Sequence, residues 1–251
     1  MVAVFTVLAA VVGVILGGFV SRAAYALPRG EYKQILFPKC PHCGRELPAK
    51  YSIPVVGSVL SLRCPLCGEK QGGRALISEL VLGAAFALLF LVYGGTYLFF
   101  EYACLAAVLL LLSLIDLDIH EILHSLLLVI LVLGVMTFVF SFFSFSLSGT
   151  VWWEHLVGAF VISLPLFLVM MFTGGIGGGD VKLMFCLGLL LGYKLTLVTF
   201  LFGIVIAAVV AVILRVFCGK GAKYQLALVP FLSLGAMIAL LVGEKLISAL
   251  F

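Results

Sequence analysis

Charge is scarce in this chain: of 251 residues, 10% are Asp, Glu, Lys or Arg, whereas 65% are hydrophobic. Soluble domains carry about 25% charged and roughly half apolar residues. A water-soluble globule of this composition is excluded, and the surrounding medium is lipid. Length then loses its usual meaning as a guide to domain number, because the bilayer replaces a water-excluding core. The first apolar stretch, Val2 to Val20, has no basic residues before it and no cleavage signal of the A-x-A kind, so it is expected to be a retained span, not a removable signal peptide. Internal repeats, low-complexity tracts and a glycine-rich nucleotide signature are absent. The modest net charge of +4 points to no nucleic-acid partner.

A membrane helix needs about twenty mostly apolar residues. Eight stretches qualify, at roughly 2–20, 76–93, 96–115, 122–142, 156–173, 181–193, 195–217 and 226–243. The pattern predicts an all-α polytopic helix bundle of about eight spans, with the sixth short and meeting the seventh at Tyr193-Lys194. One composition shift interrupts it: the segment 22–74 holds nine of the fifteen basic residues and three acidic ones. The expected domains are a first span over 1–21, an inserted cytoplasmic zinc-binding domain over 22–75 and a multi-span membrane domain over 76–251. Basic residues collect on the cytoplasmic side, which places 22–74 there together with Arg215, Lys220 and Lys223, and sends both termini outward. Trp152-Trp153 then fall in an aromatic belt on the opposite face, with Glu154 and His155 expected as solvated interfacial residues.

The inserted domain reads Cys40-Pro-His-Cys43, then twenty residues, then Cys64-Pro-Leu-Cys67, each pair followed by glycine. This is the spacing of two knuckles that together give one zinc ion four thiolates in a tetrahedron. A four-thiolate site is coordinatively closed, so its expected role is structural, holding together a segment with little core. Paired disulfides are the rival reading, disfavoured by a reducing cytosol. His42 is expected to be solvated or to neighbour the site without binding the ion. The single cysteines Cys104, Cys186 and Cys218 lie in apolar runs and are expected to be buried small hydrophobes.

Ionisable residues inside spans cost about 2.5–3.5 kcal/mol at a helix centre and therefore mark function. Asp116 and Asp118 close the third span; Asp180 opens the sixth, after the glycine run Gly175-Ile-Gly177-Gly178-Gly179. By the topology above both lie at cytoplasmic ends of spans, where carboxylates from separate helices can meet. Two carboxyl groups a few ångströms apart do not both ionise easily. Such a pair can activate a water and protonate a leaving amine. Taken singly, Asp180 reads as a helix cap and Asp116 as an interfacial anchor.

These residues carry a family resemblance. Gly-Ile-Gly-Gly-Gly-Asp180-Val-Lys-Leu resembles the G-x-G-x-G-D-x-K-L motif of type IV prepilin leader peptidases, members of the GxGD aspartyl proteases, and Ile115-Asp116-Leu-Asp118 resembles the family's first catalytic motif. The four cysteines, Ile53-Pro54 between them and Arg74 to Glu79 after them are similar to the family's cytoplasmic zinc domain. Gly17-Gly18-Phe19 through Leu27-Pro28 resembles its opening, and Val229-Pro230-Phe231 with Leu234-Gly235 its close. The resemblance implies an intramembrane aspartyl endopeptidase in the bacterial inner membrane, with its zinc domain and active site on the cytoplasmic side. It would remove a short basic leader, after a glycine, from prepilin or pseudopilin precursors with a hydrophobic N-terminal helix. Asp116 and Asp180 would form the catalytic pair, with Asp118, Gly177, Gly179 and Lys182 in support and Cys40, Cys43, Cys64 and Cys67 on zinc. Many members also methylate the new amino terminus, which adds S-adenosylmethionine as a second expected cofactor.

Two other classes compete. His120-Glu121-Ile-Leu-His124 is a literal H-E-x-x-H, and on a helix its two histidines would face one way and hold a catalytic zinc with Glu121 as base. A third protein ligand is needed, and the carboxylate candidates Asp116 and Asp180 already belong to the other motif. The same histidines would alternatively tune the aspartates. A proton-coupled transporter also places carboxylates at broken helices, though near the midplane instead of one face.

Overall fold

The computed structural model describes residues 1–36, 40, 43–45, 55–60, 64, 66–69, 73–143, 151–174, 177–217 and 227–250. Among them every regular element is a helix: α1 (Val2–Ala26), α2 (Lys33–Leu36), α3 (Val56–Leu60), α4 (Arg74–Tyr93), α5 (Tyr97–Ile119), α6 (His124–Phe143), α7 (Trp152–Val161), α8 (Ser163–Thr173), α9 (Gly178–Phe217) and α10 (Val229–Leu250). Large apolar side chains such as Phe100, Phe143 and Phe172 point outward, as expected where the solvent is hydrocarbon. The chain divides into two compact units, Met1–Ile115 and Asp116–Phe251.

In the first unit α1 turns a stripe of small residues (Ala9, Gly13, Gly17, Ser21, Ala24) inward. Lipid supplies no hydrophobic drive between helices, so close backbone approach does the work. A Cβ on Gly13 would stand 2.6 Å from Leu82 O, and one on Gly17 2.6 Å from Glu79 Cα. Glu79 itself is buried. Its Oε2 accepts from the Val55 N–H at 2.9 Å and its Oε1 from the Ser58 hydroxyl at 2.7 Å, which ties α3 to α4.

In the second unit α9 is the hub. Leu183, Met184, Leu187 and Leu190 are fully buried on it, and Gly188 meets Gly158 of α7 backbone to backbone. A straight helix of α9's 40 residues would be about 60 Å long, twice the hydrocarbon thickness. It is not straight. Gly192 has φ 75 and ψ 167, non-helical values in a region open essentially to glycine alone. The chain doubles back there: the first arm runs parallel to α6, with Lys182 against His124 and Leu190 against Gly134, and parallel to α10, whose first residue Val229 donates to Asp116, within electrostatic reach of Asp180. On the second arm Leu195 lies against Gly243 and Gly203 against Leu232, so that arm runs antiparallel to α10.

Among the described residues six helices are long and apolar enough to cross a membrane, and Val229–Gly243 is a shorter apolar one. With α9 as two arms, the eight apolar segments expected from the sequence are present, α7 and α8 together forming the fifth. The shortness of the sixth also has its cause: the first arm must end at Gly192.

Two expectations fail here. Glu154 and His155 are buried, not solvated. His155 Nδ1 donates to the Leu189 carbonyl, about one turn before Gly192, at 3.0 Å, and its Nε2 is hydrogen-bonded with the Ser141 hydroxyl at 3.2 Å. Glu154 pairs with Lys194 at 3.1 Å across the same turn, and Trp153 stacks on Tyr193. Helix ends leave orphan carbonyls; His155 donates to one beside this mid-chain turn, while Glu154 and Trp153 hold the two residues that follow Gly192. Cys104 is the second correction: it is exposed on α5, whereas Cys186 is buried as expected. Cys218, His42 and Ile53-Pro54 lie outside the described residues.

Candidate active site

In the second unit, α5 ends one turn after Asp116, and α9 begins two residues before Asp180. Asp116 is buried, and its Oδ2 accepts from the Val229 N–H at 3.2 Å. That amide is one of the orphan donors of the α10 N-terminus, where a carboxylate is also favoured by the helix dipole. Pro230, which follows, has no N–H to satisfy and suits the first helical turn. Asp180 occupies the first turn of α9, another position that favours negative charge. Its carboxylate is hydrogen-bonded by the Gly177 amide and lies within electrostatic reach of Asp116. The two carboxylates thus converge from different helices, each held by backbone N–H groups.

Glycine permits close packing where the chain folds on itself. A Cβ on Gly177 would stand 3.2 Å from Asp180 Oδ2, and one on Gly179 2.8 Å from Ile122 Cδ1. Gly179 therefore lets α9 seat against the connector between α5 and α6, which holds the two carboxylate-bearing segments in register. Asp118 is exposed, on the opposite side of the helix end from buried Asp116. Lys182 reaches His124 Nε2 at 3.1 Å.

The H-E-x-x-H stretch does not lie on a helix. His120 has a φ of 54, and residues 120–123 link α5 to α6, with His124 opening the latter. The i, i+4 geometry that would aim both histidines at one ion is lost. His120 is instead within electrostatic reach of Asp116.

The first unit carries the cysteine site. The Sγ atoms of Cys40, Cys43, Cys64 and Cys67 lie within 4.8 Å of one another, the one such His/Cys/Asp/Glu group among the described residues. The two knuckles are built alike. The Gly44 N–H donates to Cys40 O and the Gly68 N–H to Cys64 O, each at 2.9 Å, with φ of 68 and 74 at the two glycines. Cys40 and Cys67 Sγ stand 3.8 Å apart. None of the four cysteines forms a disulfide, whose sulfurs would be about 2.05 Å apart, and the separation matches the edge of a tetrahedron with about 2.3 Å metal–sulfur bonds. The residues fit zinc. A backbone hydrogen bond at Glu69 lowers the Cys67 thiol pKa, but desolvation and the three neighbouring thiols outweigh it and push it up to about 12; a divalent cation reverses that logic by deprotonating its ligands.

Sequence reasoning missed the Val229 amide, the Ile122–Gly179 contact and the buried tie that Glu79 makes to Val55 and Ser58. For the last a signal existed, since a glutamate in an apolar run is costly. Backbone partners carry no such mark.

Residues 103–212 match the Type IV leader peptidase family and residues 11–93 the Bacterial Peptidase A24 N-terminal domain. The chain is 29% identical over 241 residues to a prepilin leader peptidase/N-methyltransferase of Bacillus subtilis (strain 168), covering 94% of each chain. To the Pseudomonas aeruginosa protein of the same name it is 31% identical over 216 residues, covering 82% of this chain and 72% of that one. No solved structure matches.

Proposed function

Because the chain belongs to the type IV prepilin leader peptidase family, a family of membrane proteases, we propose that it is an aspartyl endopeptidase whose catalytic pair is Asp116 and Asp180. The convergence of these two carboxylates, one buried at the end of α5 and one at the start of α9, is the observation that carries this reading. Two carboxyl groups within electrostatic reach of one another do not ionise independently, and in the proposed reaction one holds a proton while the other is charged. The ionised carboxylate takes a proton from water as it attacks the scissile carbonyl; the protonated one gives its proton to the leaving amine. Backbone donation from Val229 and Gly177 orients each group. Lys182, hydrogen-bonded to His124 at 3.1 Å, Gly177 and Gly179, which permit the packing, and Asp118 are supporting residues, and His120 lies within electrostatic reach of Asp116.

The substrates on this reading are prepilin or pseudopilin precursors, cut at the cytoplasmic face of the bacterial inner membrane between a basic leader and an apolar helix. The four cysteines hold a structural zinc within the segment 22–75, and the membrane domain 76–251 carries the peptidase. When bound, the ion cross-links two knuckles that have almost no apolar core. The second half of the relatives' name extends to this chain as a proposal. S-adenosylmethionine would be the methyl donor, and transfer of its labelled methyl group to the newly cut amino terminus is the test.

Cleavage of a prepilin-like precursor by Asp116→Asn, Asp180→Asn and His120→Ala variants tests the dyad. Both Asn variants are expected to be inactive and His120→Ala to retain cleavage. Full activity in both Asn variants with a dead His120→Ala would overturn the assignment in favour of a metalloprotease. Flux in proteoliposomes without cleavage of any precursor would favour a transporter.

A further inference from the structure

A groove of about 450 Å³ runs between α6, α8 and the first arm of α9, within the range of about 300–1,000 Å³ typical of ligand sites. It starts at Val181 and Lys182, the two residues after Asp180, and extends along α6 from His124 to Leu131, about 10 Å at the helical rise. Lys182, His124 and Ser163 are its polar lining residues. Leu128, Leu164 and Phe167 on its rim are exposed, so in a bilayer the groove opens sideways to lipid.

We propose that this groove receives the apolar segment of the substrate that directly follows the scissile bond. The proposal rests on the dyad reading and adds to it the place where the substrate's membrane-embedded part is held. Continuity argues for this occupant: residues are at most about 3.6 Å apart along a chain, so a peptide bond held at Asp180 has its neighbours at the groove mouth. Charge sets the direction. Lys182, hydrogen-bonded to His124 at 3.1 Å, is the formally charged group on the lining, and it repels a basic leader while leaving a neutral apolar segment free to enter. A path of about 10 Å accommodates about two helical turns, so the first seven or so residues after the cut are the ones the groove reads.

A photo-crosslinking amino acid at Leu131 or at Leu164, in an Asp180→Asn background that leaves precursor uncut, tests the placement. Both probes are expected to crosslink to the precursor within its first two apolar turns, and the same probe at exposed Phe100 is expected to give none. Crosslinks to phospholipid alone, or equal capture of precursor from Phe100, would overturn the proposal. In the otherwise unaltered enzyme, Leu164→Trp fills the groove and is expected to raise KM about tenfold with kcat nearly constant, the mark of lost uniform binding. Phe100→Trp should leave KM unchanged. An unaltered KM in Leu164→Trp removes the groove from substrate binding while the dyad stands; full cleavage by Asp116→Asn and Asp180→Asn removes the dyad itself.

Discussion

Asp116 has two duties that substitution can separate. Its Oδ2 accepts the Val229 N–H at the start of α10 at 3.2 Å, and in the proposed reaction its carboxyl group exchanges a proton with water or the leaving amine. Asn keeps an acceptor oxygen in the same place and removes the acid. Ala removes both. Loss of the acid–base function costs about 10²–10⁴ in rate, so both variants should lose cleavage by that factor. Leaving a buried N–H without an acceptor costs about 1–3 kcal/mol, so Asp116→Ala should be destabilised by that amount and Asp116→Asn by much less. The assays are precursor cleavage in detergent or proteoliposomes and denaturant unfolding of the same preparations. Because the two aspartates act as one unit, the Asp116→Asn/Asp180→Asn double variant should be no slower than either single variant, the non-additivity expected of a shared step. Asp116→Asn with activity within a few-fold of the parent would refute the catalytic role. Asp116→Ala as stable as Asp116→Asn would refute the capping role.

Gly192→Ala should destabilise the protein by about 1–3 kcal/mol, since the φ of 75 and ψ of 167 at the reversal of α9 are essentially closed to side-chain-bearing residues; a neutral change in unfolding free energy would contradict the reversal. Gly188→Val should cost about 1–3 kcal/mol or more by overpacking, because the first atom its Cβ meets is backbone, Gly158 O, which cannot rotate away; wild-type thermal stability would show that α7 and α9 are further apart. Purified protein should carry one zinc per chain, lost in Cys40→Ser and Cys64→Ser, and elemental analysis reads this directly. Because the Cys67 thiol is pushed up to about 12 without a cation and binding requires thiolates, zinc loading should release protons and weaken as pH falls. Affinity independent of pH would refute the thiolate site.

Much of this protein is legible without coordinates. Long apolar runs imply spanning helices, because a bilayer leaves every backbone polar group to be satisfied within its own segment. Two Cys-x-x-Cys pairs with following glycines imply a metal cluster, because the ligand atoms of each pair come from one tight local turn. Asp116 and Asp180 stand out because isolated carboxylates in apolar runs are expensive. These are properties of single segments or of a short local repeat, and composition alone carries them.

Three matters only the tertiary structure decided, each because it depends on a partner distant in sequence. Glu154 and His155 look interfacial beside two tryptophans, and the sequence places a turn at Tyr193-Lys194, but only the fold shows that His155 donates to the Leu189 carbonyl and Glu154 pairs with Lys194 across that turn. The H-E-x-x-H stretch resembles a helical metal motif, yet it falls in the link between α5 and α6. There Ile122 must pass against Gly179, and His120 adopts a left-handed φ. Asp116 has as its hydrogen-bond donor the amide of Val229, 113 residues away. Sequence marks a carboxylate as costly. The backbone N–H that orients it is the same in every residue but proline, and only folding shows which one it is.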